Sequence, residues 1–528
     1  MLSFKKKILE KFINNKFILF LFFSTILRIP HLIRAEFRLD SDGAHHWIVM
    51  ENIINGNIFA LHPYGLNHLG ITDFSLALPI SLFIGHNQYA YQIMLHLVFI
   101  IISIILYKIT EYCFGNNAST TLLFLLALPN PVLFHFLVRP YGGHVLGSAL
   151  MILSVYLLFI SNNKDNKIFY LSLSSFLVGF GYYTSHLAII IALPLLLYIF
   201  IYLVTYRKLV YFFAVLLSFF IGILPSIIGK LVQPYPDSYP NSSFNVSSLH
   251  FFDNASYSIK YIFPSLFGYF SQSGIEESGF KPPKDIKNLF PIINLYVTIS
   301  FTYFIIVIFK NKLIKRNIHE NYLIFSILVL LLNIMACLTT TNGLEGFGVR
   351  FFIPTIISII PTYSAFLSGS IFQNKIWKKD IYQKIILYLH LFIFIISYGH
   401  GYLNFNSSLY TFEATPKINE LVSVLSENKV KYCAADYWIS YPIVYKSRFN
   451  ILASPVKNLT LGPVRNPEIT EKIIKNPNGI ECLIYTIFTP LNISSKIDDI
   501  IIINSFKFKI IKSNNLDIYS ILFVKEIK

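Results

Sequence analysis

The chain has 528 residues, of which 54% are hydrophobic and 13% charged, and its mean hydropathy is +0.58. A soluble domain carries roughly 25% charged residues, whereas here apolar residues run on for long stretches such as Phe17 to Leu27, Leu97 to Tyr107 and Leu187 to Tyr206. These features exclude a soluble globular protein, a disordered chain and a disulfide scaffold, and they leave a polytopic membrane protein.

The formal charge of +16 sits mostly in short Lys and Arg clusters at the ends of apolar runs. It therefore reads as a topology signal and not as a nucleic-acid surface. A bilayer core of about 30 Å takes roughly 20 apolar helical residues per crossing, and backbone polar groups within it must be satisfied internally. The pattern predicts a mainly α, polytopic membrane helical bundle. Its spans, about eleven at that length, lie near 17–33, 88–107, 119–137, 144–160, 168–186, 187–205, 209–230, 289–309, 322–338, 351–371 and 384–400.

Lys5, Lys6, Lys7, Lys11 and Lys16 precede the first span, which has no small-x-small cleavage site and reads as a retained signal anchor. Later clusters are Lys164 with Lys167, Arg207 with Lys208, Lys310 to Arg316, and Lys375 to Lys384. The predicted spans put all of them on the cytoplasmic side, with the N-terminus inside and the C-terminus outside. Phe74 to Ile84 is too short to cross alone and reads as re-entrant or as an extension of the next helix.

Three polar regions then lie outside the cytoplasm: a loop near 34–87, a loop near 231–288, and the chain after residue 400. The expected organisation is a transmembrane domain over 1–400 and a small extracytoplasmic α/β domain over 401–528. Within the latter, Lys417 to Glu427 reads as an amphipathic helix, and Lys431–Ala434, Cys482–Ile487 and Ile500–Asn504 read as strands. No internal repeat of the transporter kind is evident. Four cysteines make no framework, but Cys433 and Cys482 share the exported domain and are candidates to pair.

Polar groups gathered at one face of a bilayer are the informative ones. The first outer loop carries Asp40 and Asp42 just before an amphipathic segment whose Trp47, Ile48, Met50, Ile53 and Ile54 suit a helix lying on the membrane surface. Asp42 reads either as an N-cap, with Gly56 ending the helix, or as a carboxylate kept ionised at a helix N-terminus. Further on come Tyr64, His68 and Asp73, the last at the membrane interface, where a carboxylate is either a cap or in use. His45, His46, His62 and His68 match no zinc spacing and read as surface or hydrogen-bonded histidines. Arg139 and Arg350 sit at outer helix ends, as snorkelling anchors or as clamps for a headgroup phosphate. No nucleotide-binding glycine loop occurs.

Several segments together resemble the GT-C glycosyltransferases, the class of the protein O-mannosyltransferases and lipid A aminoarabinose transferases. They are Asp42-Gly-Ala, Tyr64-Gly-Leu-Asn-His-Leu-Gly-Ile-Thr-Asp73, Arg350-Phe-Phe-Ile-Pro354 and, in the exported region, Ala435-Asp-Tyr-Trp-Ile-Ser-Tyr441. Gly43 and Leu66 depart from the acidic residue and the Gln of that pattern.

The resemblance implies an enzyme of the inner (plasma) membrane that moves a sugar from a polyprenyl-phosphate carrier to an acceptor hydroxyl of a lipid, glycan or protein, with inversion. By the same resemblance Asp42 is the base, with Asp40 as alternate base or metal ligand. Asp73, Arg139, Arg350, His68 and Tyr64 bind substrate. A divalent cation, Mg2+ or Mn2+, stays open as a cofactor. The competing expectations are a lipid-linked polysaccharide polymerase or ligase, a lipid-glycan transporter, and a non-catalytic assembly protein.

Overall fold

The computed structural model describes residues 16–56, 60–128, 131–138, 142–161, 166–206, 209–232, 251–257, 318–339, 351–368, 370, 417–456, 459–460, 464–476, 479–486, 498–503, 506–516 and 519–527. The chain separates into two compact units. One comprises Met1–Ile33, Ile93–Pro225 and Asn241–Tyr410, and the other Arg34–Gln92, Ser226–Pro240 and Thr411–Lys528.

Helices dominate. They begin with α1 (Lys16–Ile33), α2 (Ser41–Ile54), α3 (Thr72–Ile84), α4 (Gln88–Phe114), α5 (Asn116–Ala127), α6 (Pro131–Leu137), α7 (His144–Ser161) and α8 (Lys167–Thr184). They continue with α9 (Ile189–Tyr206), α10 (Leu209–Val232), α11 (Phe251–Tyr257), α12 (Ile318–Thr339) and α13 (Ile353–Leu367). Among the described residues, five helices are long and apolar enough to cross a membrane: Lys16–Ile33, Gln88–Phe114, His144–Ser161, Val210–Val232 and Asn321–Thr339. The expected spans near 289–309 and 384–400 lie outside the described residues.

Two expectations change. The span near 119–137 is two helices, because α5 ends at Ala127 ahead of Pro129 and α6 begins at Pro131, and proline removes a helical donor. The piece at Phe74–Ile84 belongs to a separate helix, α3, and is no extension of α4. Gly85 stands between them at φ +87°, a left-handed conformation that ends a helix.

Within the first unit, small residues let helix backbones approach closely, and serines join them where lipid supplies no partner. A Cβ on Gly147 would lie 3.0 Å from the Gly181 carbonyl, and one on Gly222 would lie 2.2 Å from the Phe176 carbonyl. Ser154 Oγ donates to the Ser174 carbonyl across α7 and α8 at 2.8 Å, and Ser175 Oγ donates to Val215 O at 2.9 Å. Further along the chain, Tyr322 donates to Ser358 O at 2.9 Å, and Asn333 donates to Thr355 Oγ1 at 2.6 Å. Most of these buried polar side chains thus donate to backbone carbonyls of a neighbouring helix.

The second unit contains α14 (Ile418–Glu427), α15 (Tyr437–Lys446) and α16 (Pro467–Ile474). It also holds a six-stranded sheet of β1 (Tyr432–Ala435), β2 (Leu452–Ser454), β3 (Cys482–Thr486), β4 (Ile500–Ile503), β5 (Phe506–Leu516) and β6 (Tyr519–Glu526). The strand order is β2-β1-β3-β6-β5-β4. β1 pairs in parallel with β2 and β3, and the remaining pairs are antiparallel. This is the expected small C-terminal α/β sheet, although β2, β5 and β6 were not among the strands anticipated.

Cys433 and Cys482 are register partners on β1 and β3. They are buried free thiols joined by a hydrogen bond. Leu39, Ala44 and Ile48, from the first loop and α2, pack into the same hydrophobic core as Ile439, Leu483 and Phe508. The loop and the sheet domain are therefore one folding unit.

The loop after α2 is fixed on the end of α10. His62 Nδ1 donates to Leu69 O at 2.6 Å, and a Cβ on Gly229 would lie 2.3 Å from His62 Cδ2. Gly229→Ala is expected to lower stability by about 1–3 kcal/mol, the usual cost of overpacking. Adding His62→Ala should recover part of that loss, because the two changes share one contact. Thermal midpoints of the single and double variants check this.

Candidate active site

The site is built on the first turn of α2. Asp40 is the N-cap, with extended backbone (φ −99°, ψ 178°) and its Oδ1 accepting the Gly43 N–H at 2.8 Å. Asp42 is therefore not the cap. It falls one position inside the helix, where an acidic side chain is favoured by the helix dipole, and its carboxylate points to α15 and the segment leading into α16. Asp42 Oδ1 accepts hydrogen bonds from the Tyr437 hydroxyl and from Arg465 Nη1. Ser41 Oγ donates to the Tyr437 carbonyl, so Tyr437 grips the helix start at both of its ends.

Arg465 is held in turn. Its guanidinium lies 4.8 Å from the centre of the Tyr437 ring. Its backbone N–H and that of Asn466 both donate to the Tyr441 hydroxyl at 2.9 Å. Asn466 then caps α16, accepting from Ile469 N at 3.2 Å. The Arg465 side chain is 8% exposed and that of Asp42 23%, so the pair is largely desolvated but reachable from the Asp42 side.

Electrostatics follow from this packing. Burial works against the Asp42 charge, but Arg465 and the Tyr437 hydroxyl outweigh it and hold the carboxyl below its ordinary value of 3.8. Burial, joined by the Asp42 charge, pushes the Tyr437 phenol well above its ordinary value, so it stays a donor. His45 falls to about 3, first through burial and then through His46 and Arg465. Burial also lowers His46.

Both imidazoles are therefore neutral and donate to carbonyls, His45 Nε2 to Tyr64 O at 3.1 Å and His46 Nδ1 to Asp42 O at 2.6 Å. They are buried, contrary to the surface alternative. The membrane-surface expectation for α2 fails at Trp47, Ile48 and Met50, whereas Ile54 at the helix end is 47% exposed. Trp47, Ile48, Val49 and Met50 are all 2% exposed or less, because α2 packs into its own unit against α15.

Behind α2 lies the fully buried Asp73, in the first turn of α3. It accepts the Tyr91 hydroxyl at 2.7 Å. Phe74 stacks on His46 at 4.6 Å and on Tyr91 at 4.5 Å. Burial raises the Asp73 carboxyl above 3.8, with the Tyr91 hydrogen bond opposing.

The sign of its linkage is clear. The folded protein binds this proton more tightly than the unfolded chain, so Asp73 costs stability as pH rises from 3.8 through its folded value. Asp73→Asn keeps a polar partner for Tyr91 and is expected to raise the thermal midpoint at pH 7 by a few degrees. The gain should disappear near pH 4. Thermal midpoints at the two pH values check it.

Among the sequence-predicted residues, Asp40, Asp42, Tyr64, His68 and Asp73 all lie in the second unit. Tyr64 is buried and joined to α2 through His45. His68 is half-buried in the turn that follows. Arg139 and Arg350 lie outside the described residues. Arg465 went unassigned in the sequence; its signal there is a lone arginine between Pro463 and Pro467.

Among the described residues the donor set does not fit a divalent cation. N–H and O–H groups face Asp42 Oδ1, Asp40 Oδ1 is spent on the cap, and no group of three His, Cys, Asp or Glu among the described residues is placed to hold a metal ion.

A helical membrane chain with a small C-terminal α/β sheet and a carboxylate site at its first loop defines a narrow class. A family model for dolichyl-phosphate-mannose-protein mannosyltransferases matches residues 71–228. The structure of ArnT from Cupriavidus metallidurans bound to undecaprenyl phosphate is similar, with TM-score 0.55 and 9% identity over 95% of this chain and 97% of that one. The apo oligosaccharyltransferase of Archaeoglobus fulgidus is similar with TM-score 0.52 and 12% identity, over 90% of this chain and 69% of that one. Comparison with curated proteins gives no match. The chain therefore shares the fold of these two membrane-protein structures, and its residues 71–228 match the mannosyltransferase family model.

Proposed function

We propose that this chain is a membrane glycosyltransferase of the GT-C type that moves a sugar from a polyprenyl-phosphate donor to an acceptor hydroxyl at the extracytoplasmic face of the inner (plasma) membrane, with inversion. The observation that carries the reading is the Asp42 carboxylate, oriented and kept ionised at the start of α2 by Arg465 and Tyr437. Undecaprenyl phosphate in the similar ArnT structure supports the donor class.

In the reaction the acceptor O–H gives its proton to Asp42 as the oxygen attacks the anomeric carbon. The bond from that carbon to the phosphate oxygen breaks, and polyprenyl phosphate leaves with the bonding pair. A positioned carboxylate suits this general-base step. The leaving phosphate needs no protonation, and a cation can neutralise its developing charge.

Asp40 keeps the helix start in place and is the less apt base, since its Oδ1 is engaged. Tyr64, His68, Asp73, Arg139 and Arg350 remain proposed substrate residues, and 1–400 and 401–528 the proposed transmembrane and exported domains. The test incubates purified protein with radiolabelled polyprenyl-phosphate sugars and membrane extract, with and without EDTA. Transfer from such a donor is the expected result. Activity confined to diphosphate-linked oligosaccharides points to the polymerase or ligase reading, and uptake of lipid-linked glycan without transfer points to a transporter.

A further inference from the structure

Arg465 stands where a base-activating device would have to stand, and its present partner is a problem for a base. An ion-paired carboxylate with an arginine on its oxygen is a poor proton acceptor, because taking a proton breaks the pair. The guanidinium is at the same time the better ligand for a phosphate. It is planar, always charged, and offers a fork of donors that matches phosphate oxygens. On the proposed reading, the donor brings a phosphodiester monoanion to the anomeric carbon that the Asp42-activated hydroxyl attacks. The phosphate and Asp42 must then share this small site.

We propose that Arg465 is a phosphate-binding catalytic residue contributed by the C-terminal segment, latched on Asp42 at rest and exchanged onto the donor phosphate when the substrate binds. The proposal rests on the glycosyltransferase reading given above and deepens it.

Three features make the exchange feasible. The backbone of Arg465 is fixed by the two N–H bonds to Tyr441 and by the Asn466 cap, so only the side chain has to swing. The Tyr437 ring under the guanidinium supplies a face along which it stays stabilised as it moves. The Tyr437 hydroxyl remains on Asp42, which keeps the carboxylate aimed after the arginine has left.

Transfer then strengthens the new contact. Breaking the glycosidic bond turns the phosphodiester monoanion into a phosphomonoester that carries a further negative charge, while the acceptor proton neutralises Asp42. Product release and loss of that proton return Arg465 to its latch. Base activation is thereby coupled to donor binding, which protects a reactive carboxylate in the empty enzyme.

The experiment measures binding of radiolabelled undecaprenyl phosphate to purified full-length protein in nanodiscs at fixed ionic strength. Arg465→Ala and Arg465→Lys are expected to weaken binding by roughly tenfold or more and by less, respectively, the worth of a charge-assisted hydrogen bond. Asp42→Asn is expected to bind more tightly than wild type, because the competing charge for Arg465 is gone. Unchanged or weaker binding by folded Asp42→Asn overturns the exchange, as does wild-type binding by folded Arg465→Ala. The Asp42→Asn arm decides the matter alone if Arg465→Ala does not fold. Failure of the base reading is separate: there, Asp42→Asn still transfers sugar, whatever its affinity for the lipid phosphate.

Discussion

Asp42→Asn is expected to reduce glycosyl transfer by about 10^2 to 10^4-fold, the usual worth of a positioned general base, while the protein stays folded. Asparagine keeps an oxygen for Tyr437 and Arg465 in the place of Oδ1, so the change removes charge and basicity but little packing. Transfer by a normally folded variant at the wild-type rate overturns the assignment.

The pH profile sharpens the same prediction. Because the folded carboxyl lies below 3.8, Asp42 contributes stability above its unfolded value, and this is lost only as pH falls through the lower folded value. The acid limb of kcat/KM, which reports the free enzyme, is therefore expected below the ordinary carboxylate range. The acid limb of kcat reports the substrate-bound enzyme, where Arg465 has moved to phosphate, and it should lie at higher pH. Coincident limbs would mean that the arginine never leaves. An acid limb that persists in Asp42→Asn would belong to another group.

The sequence carried the membrane class plainly, because lipid as a solvent forces long apolar runs that no other constraint produces. It also singled out Asp42 as a candidate, through an acidic pair at the start of an amphipathic segment and the spacing of the resemblance. It could not carry Arg465, which lies 423 residues away from Asp42 and reads as one arginine in a proline-flanked turn. Its placement depends on Tyr441 and the Asn466 cap, contacts that no local pattern encodes.

The α2 expectation failed for a related reason. An apolar stripe with Trp47 and Ile48 specifies a partner of low polarity, but it does not distinguish a bilayer interface from the core around Ile439 and Leu483. The sequence left His45 and His46 as surface or hydrogen-bonded histidines, and the hydrogen-bonded alternative is the one the structure shows. Here α2 is covered on both sides, and each imidazole finds a carbonyl.

The second large effect is expected in the other, helical unit. Gly222→Leu should abolish stable folding of the helical unit, or cost at least about 3 kcal/mol, the upper part of the range for overpacked cores. The reason lies in what a side chain would strike. A Cβ at Gly222 meets the Phe176 carbonyl oxygen at 2.2 Å and Phe180 N at 2.9 Å, and one at Gly179 meets the Phe219 carbonyl at 2.4 Å. These are backbone atoms on both sides of one crossing, so no rotamer change relieves the clash and the helices must separate. Separation would also pull Val215 O away from Ser175 Oγ, and lipid offers that hydroxyl no substitute. Leu217→Ala on the same helix is the control, since its side chain is 62% exposed and makes no such crossing. Yield and thermal midpoint of the two variants in one detergent are the measurements. A Gly222→Leu protein that melts like Leu217→Ala would show that α8 and α10 are not in backbone contact.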